Sequence, residues 1–183
     1  MTSLNIGCGG DPWGDIGVDL SRSPPEVSNH PNVVASALTL PIRSGVIQEI
    51  RCWHAIEHIQ DWKGVLNEIV RVSRKGTRVQ LRFPIDDGFK RDFLINWSRF
   101  NLKHMRHSFR TRRDRLHVWI INPTLVAQQL SAAGFLVRIG RNTRKFFPPW
   151  LALGRKARIF GRFYPHFPEI DYEWELNAIR DSP

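Results

Sequence analysis

The sequence predicts an α/β protein built on a mostly parallel sheet, and three observations carry that prediction. Short apolar strands alternate with turns and helical stretches along the chain. The first strand, Leu4-Asn5-Ile6, runs straight into the glycine cluster Gly7-Cys8-Gly9-Gly10. Between Asp61 and Ser73 the hydrophobic period changes from that of a strand to that of a helix.

Each element has its own signal. Ile16-Gly17-Val18-Asp19-Leu20 is a second strand with a carboxylate near its end, Asn32 to Ala35 a third, and Glu49 to Trp53 a fourth. Trp62, Val65, Leu66, Ile69 and Val70 fall at i, i+3, i+4, i+7 and i+8, one face of a helix. Asp61 is its N-cap, and Arg74-Lys75-Gly76 is expected to close it with positive charge and a glycine. Val79, Leu81 and Phe83 alternate with polar residues in a strand ended by Pro84. Asn122-Pro123 opens a second helix that Gly134 stops. Phe135 to Ile139 and Tyr172 to Ile179 are two late strands. The 183 residues suit one domain spanning 1–183, with an insertion at about 86–116.

Composition narrows the classes. Hydrophobic residues at 42% exclude a disordered chain, and no apolar run reaches the ~18 residues a membrane helix needs. The start lacks the basic and apolar regions of a signal peptide, so a cytoplasmic location is expected. With only Cys8 and Cys52, a disulfide framework is not expected. The formal charge of +10 is uneven. Pro84 to Leu116 carries nine Lys/Arg against four Asp/Glu, and Arg138 to Arg162 carries eight basic residues and no acid. An anionic partner follows: nucleic acid, a phosphorylated glycan or a membrane surface. Lys90 to Phe100 and Arg99 to Arg115 mix cations with aromatics, as does Phe146 to Lys156. That mixture suits phosphate contacts with base stacking, an interfacial helix, or an aromatic roof over a ligand.

Glycines at 7, 9 and 10 let backbone pass close to a ligand. A dinucleotide fingerprint would need a further glycine at position 12, where Pro12 stands. The short interval to Gly17 leaves little room for the helix that holds a pyrophosphate, so a ligand with an adenosine and no phosphate fits better. Asp19 is placed to accept hydrogen bonds from a ribose. His54-Ala55-Ile56-Glu57-His58 matches the inverted zinc-hydrolase pattern H-x-x-E-H, which binds zinc from one helix face. Here it follows a strand at once, without a second ligand helix downstream, so no metal is expected.

The stretch Leu4 to Leu20 resembles the first two strands of class I S-adenosylmethionine-dependent methyltransferases, in the subgroup with a short first crossover. Ala35 to Pro41 resembles the family's adenine-binding turn, and Ile47 to Ile59 its fourth strand and following loop. Ala133-Gly134-Phe135 and Tyr172 to Leu176 resemble its closing elements. The resemblance implies a Rossmann-like, mostly parallel seven-stranded sheet with helices on both faces and an antiparallel last strand. It implies S-adenosyl-L-methionine as cofactor. Gly7, Cys8 and Gly9, with Asn5, would line its methionine part. Asp19 and Leu20 would meet the ribose side, and Ser36, Ala37 and Leu38 the adenine; Ser36 stands where many members carry aspartate. Trp53, His54 and Ala55 would close the sulfonium side. His54 and His117 are the candidates for a general base near the methyl group, with loop hydrogen bonding as the alternative role. The expected activity is methyl transfer to an oxygen or nitrogen of an anionic acceptor. The alternative is a non-catalytic module of this fold that binds nucleic acid or a partner enzyme.

Overall fold

The computed structural model describes residues 2–21, 33–85, 119–145 and 169–181. The basic insertion, His117 and the aromatic stretch Phe146 to Lys156 lie outside the described residues. The strands are β1 (Ser3–Ile6), β2 (Ile16–Asp19), β3 (Val33–Val34), β4 (Ile47–Trp53), β5 (Ser73–Pro84), β6 (Phe135–Lys145) and β7 (Glu169–Arg180). The helices are α1 (Trp62–Val72) and α2 (Pro123–Ala132), with one 3-10 turn at Ile56–His58.

Among the described residues the strands form one sheet in the order β3-β2-β1-β4-β5-β7-β6. β1 to β5 are parallel, and β7 runs antiparallel to both its neighbours, β5 and β6. This is the mostly parallel, seven-stranded arrangement with an antiparallel last strand that the sequence predicts. The strand order reverses direction at β1, whose neighbours are β2 on one side and β4 on the other. In open α/β sheets, ligands bind beyond the carboxyl ends of the strands at such a switch point.

Register separates the two faces. Leu4, Ile50, Val79 and Ala178 are neighbours across the sheet, as are Ile6, Cys52, Leu81 and Leu176. These residues, Val65, Leu66, Ile69 and Val72 of α1, and Val126 and Leu130 of α2 form one buried cluster. The two helices touch each other on that face, where Gln129 of α2 donates to Asn67 and to the Lys63 carbonyl of α1. The opposite face carries Asn5, Arg51, Gln80 and Asn177 in one row and Trp53, Arg82 and Glu175 in the next.

Both helix starts follow the sequence. The Asp61 side chain accepts from Gly64 N at 2.9 Å, and Asn122 Oδ1 accepts from Thr124 N at 2.9 Å with Pro123 in the first turn. The end of α1 differs from expectation. The helix stops at Val72, and Ser73, in extended conformation, donates from Oγ to Ile69 O at 2.6 Å and begins β5. Arg180 of β7 donates to Val70 O and Ser73 O, supplying the positive charge assigned to Arg74 and Lys75. Gly76, at φ +82°, instead turns the irregular start of β5 between the Ile47–Ser73 and Glu49–Arg78 pairings. The late strands are longer than expected: β6 continues to Lys145 and β7 starts at Glu169. They pair with each other, so polar residues such as Asn142 stay in the ladder. Replacing Asp61 with alanine should lower unfolding stability by about 1 kcal/mol, read from the midpoint of urea denaturation.

Candidate functional site

Four segments meet beyond the carboxyl ends of β1, β2, β3 and β4. The first is the loop Gly7 to Asp15. Gly7 N and Cys8 N donate to Val18 O at 2.8 and 3.3 Å, which folds the loop back over β2. Gly7 has φ +67° and Gly9 φ +50°, conformations that glycine reaches without steric cost. A Cβ on Gly7 would collide with the Cβ of Ala55, so the loop lies directly against the turn after β4. Among the described residues, a Cβ on Gly9 would meet nothing within 4 Å. Cys8 is buried, and burial together with the charge of Asp19 pushes its thiol up to about 11. It is neutral at physiological pH and serves as packing rather than as a nucleophile.

Asp19 ends β2 as expected. Its Oδ2 accepts from Gly9 N at 2.9 Å and its Oδ1 from Ser21 N at 3.4 Å. Its main-chain oxygen accepts from Ala35 N at 2.9 Å, which joins the third segment to the same edge. There Ser36 Oγ accepts from Leu38 N at 3.1 Å and Ser36 O from Thr39 N, forming a tight turn. Glu68 of α1 holds the chain that follows: its Oε2 accepts from Leu40 N at 2.7 Å, and Arg71 bonds both Glu68 and the Leu40 and Ile42 carbonyls. Leu20 and Leu38 are exposed by 72% and 37%, apolar surface left open at this end of the sheet.

Asn5 lies buried beneath the loop and donates to Asp11 Oδ2 at 3.2 Å. Asp11 was not singled out by the sequence, since one acid in a glycine-rich loop has no signature. It also accepts from Trp13 N and pairs with Arg51 at 3.4 Å. The Arg51 guanidinium stacks on Trp13 at 4.1 Å and on Trp53 at 3.8 Å, and Arg82 covers Trp53 at 3.8 Å. Four side chains thus alternate ring and cation across the sheet face beneath the site.

His54 follows β4 with φ +52°, the single non-glycine residue with positive φ among the described residues. Its N–H donates to Arg82 O at 2.8 Å. Its ring lies between two buried carboxylates: Nε2 is 2.7 Å from Glu173 Oε2, and Nδ1 is 3.5 Å from Glu57 Oε1. Glu57, then Glu173, raise the His54 pKa above its ordinary 6.5 against the opposing effect of burial. Glu173 was missed because it sits in β7, 119 positions from His54 in the chain. Asn142 donates to Glu173 and Glu175 at 2.7 Å each, and Arg82 pairs with Glu175 at 2.9 Å. Burial works to raise Glu175, but hydrogen bonds from Asn177 and Asn142, with Arg82 and Gln80, hold its carboxyl below the usual range. The H-x-x-E-H residues straddle a strand end and one 3-10 turn, so the two histidines do not form the helical i, i+4 pair of a zinc site. Trp119 docks on this turn, its N–H donating to Glu57 O and its Nε1 to Gln60 O. His117 lies outside the described residues.

The loop predicts a graded response. Gly7→Ala combines positive φ with a collision against Ala55, whereas among the described residues Gly9→Ala meets no collision and carries the backbone cost of roughly 1–2 kcal/mol. Gly7→Ala should therefore lower the melting temperature clearly more than Gly9→Ala, as measured by circular dichroism.

No family model and no curated protein matches the sequence. Solved structures match it over nearly its whole length. A SAM-dependent methyltransferase from Archaeoglobus fulgidus aligns at TM-score 0.61 and 14% identity, over 97% of this chain and 85% of that one. A possible histamine N-methyltransferase from Thermotoga maritima aligns at TM-score 0.60 and 16% identity, over 98% and 81%. A Haemonchus contortus phosphoethanolamine N-methyltransferase, in complex with phosphomonomethylethanolamine and S-adenosylhomocysteine, aligns at 0.55 and 14%, over 99% and 48%. The strand order, the antiparallel β7 and these neighbours together establish that the chain has the fold of the class I S-adenosylmethionine-dependent methyltransferases.

Proposed function

We propose that the chain is an S-adenosyl-L-methionine-dependent methyltransferase that acts on an oxygen or nitrogen atom of an anionic acceptor. One observation carries the reading: a glycine loop, held by the hydrogen bond from Gly9 N to the Asp19 carboxylate, sits at the switch point of the sheet. The residues present fit the cofactor. Backbone at Gly7, Cys8 and Gly9, over Asn5, would hold its methionine part, and Asp19 its ribose hydroxyls. Leu20 and the turn Ser36, Ala37 and Leu38 would take the adenine, with the two exposed leucines offering apolar area to its faces. Trp53, His54 and Ala55 would close the remaining side. When bound, the cofactor supplies an electrophilic methyl group on a sulfonium.

The protein's own share of the chemistry is positional. An in-line displacement needs the acceptor lone pair behind the methyl carbon, and holding that geometry supplies much of the rate. The charge of +10 supports an acceptor bearing phosphate or another anion, met by the basic segment at about 86–116. The Haemonchus neighbour, whose bound acceptor is a phosphorylated amine, illustrates such a pairing on this fold. Among the described residues no helix is long and apolar enough to cross a membrane, in keeping with action in the cytoplasm.

Calorimetric titration with S-adenosylhomocysteine tests the cofactor site directly. Micromolar affinity, about −8 kcal/mol, is expected. Asp19→Ala should remove roughly 1.5–3 kcal/mol of it, a loss of about ten- to hundredfold in affinity. Absence of binding at millimolar ligand would sink the enzyme reading and leave a non-catalytic module of this fold.

A further inference from the structure

We infer that His54 works as a cationic strut rather than as a general base: its imidazolium bridges Glu57 and Glu173 and so holds the turn that closes the proposed cofactor site. The inference rests on the methyltransferase reading for its functional consequence, and on geometry for its substance.

A general base needs a ring nitrogen with a free lone pair aimed at the acceptor. At His54 the shorter contact, Nε2 to Glu173 at 2.7 Å, uses one nitrogen, and Glu57 stands at the other. Glu57 Oε1 stands within ion-pair reach of Nδ1 at 3.5 Å, and two buried carboxylates flanking one ring favour the imidazolium over the neutral form. Both acids are almost fully buried, and buried carboxylates require partners. Other charged side chains face the two acids as well. Arg82 of β5 reaches Glu173 at 3.9 Å but Glu175 at 2.9 Å, so its main commitment is elsewhere. From the 3-10 turn, His58 approaches Glu57 Oε1 only to 4.0 Å. Asn142 of β6 serves Glu173 as a neutral donor. His54 lies within ion-pair distance of both acids.

The backbone supplies an independent reason. A non-glycine residue at positive φ persists only where its surroundings over-determine it. Here the main chain is tied to Arg82 O and the side chain to β7 and the 3-10 turn. The next residue is Ala55, whose methyl packs against Gly7 of the glycine loop. Releasing the strut would let that turn move away from the loop. Glu57 and Glu173 are therefore positioning residues that act on the cofactor through His54.

The pH dependence separates strut from base by its sign. The His54 pKa is raised in the folded protein, so the strut is complete below 6.5 and is lost as pH rises through the folded value. Cofactor affinity and turnover should fall with rising pH through that midpoint. A base would give the reverse, since it acts when neutral. The test uses the full chain. Histidine ring-proton NMR, with His54 assigned by a His54→Asn variant, follows its titration, and S-adenosylhomocysteine affinity is measured over the same range. The expected result is a His54 midpoint above 6.5 that moves down in both Glu57→Gln and Glu173→Gln, with the loss of affinity moving down alongside it. A wild-type midpoint at or below 6.5, or affinity or turnover that rises with pH through it, overturns the inference; the wild-type titration decides even where a variant fails to fold. Absence of S-adenosylhomocysteine binding with the midpoint raised would overturn the methyltransferase reading and leave the imidazolium bridge standing.

Discussion

The nine residues from Gly7 to Asp15 must leave β1 and enter its parallel neighbour β2, a span usually filled by a helix. Much of the site follows from how this short crossover is made. Without helical hydrogen bonds, its backbone groups are satisfied locally: Gly7 and Cys8 by Val18, Asp11 by Cys8, Gly9 by the Asp19 carboxylate, and Asp15 by Ser3. Such closure demands positive φ at Gly7, Gly9 and Gly14. It also lays the loop against Ala55, and so fixes the distance between the ends of β1 and β4 where a ligand would sit.

A helix in this crossover would also have covered the sheet. Trp13 takes up part of that task by stacking on Arg51, which stacks in turn on Trp53, with Arg82 beyond. Arg51 Nε, Arg82 Nε and Trp53 Nε1 are buried without hydrogen-bond partners among the described residues. Each such atom costs roughly 1–3 kcal/mol, and a desolvated cation–π contact returns up to about 2 kcal/mol. The terms are of similar size, so the layer is best understood as tolerable and well ordered rather than strongly stabilising. Its merit is connectivity. Asp11 of the glycine loop and Asn5 beneath it join it at one end, and Glu175, Asn142 and Glu173 at the other. The loop after β1 and the turn after β4 thus rest on one continuous polar layer.

That layer stands opposite a conventional core. The apolar face is sealed by α1 and α2, whose buried residues recur at helical spacing, and Arg180 pins α1 to β7 by occupying its terminal carbonyls. The two faces divide the work: one supplies hydrophobic burial, the other fixes charged and aromatic groups in register.

The sequence alone determined whatever depends on neighbours along the chain. Strand and helix periods, the caps Asp61 and Asn122, the stop at Gly134, the glycine loop and Asp19 at the end of β2 are all local patterns, and local physics imposes them. Helix termination at Val72 was less legible, because Gly76 has the composition of a cap but the following strand claims Ser73 first. The full length of β6 and β7 was hidden too, since each is an extended ladder only in the presence of the other. Tertiary structure decided the pairings that give the site its electrostatics. Glu173 and Glu175 look like ordinary surface acids of a strand until β7 inserts between β5 and β6, placing them opposite Pro84 and Arg82. Glu57 belonged to a metal-like pattern until the 3-10 turn directed it toward His54. Charge and hydrogen bonding act through space: Glu173 reaches His54 from β7, and Arg51 reaches Asp11 from β4.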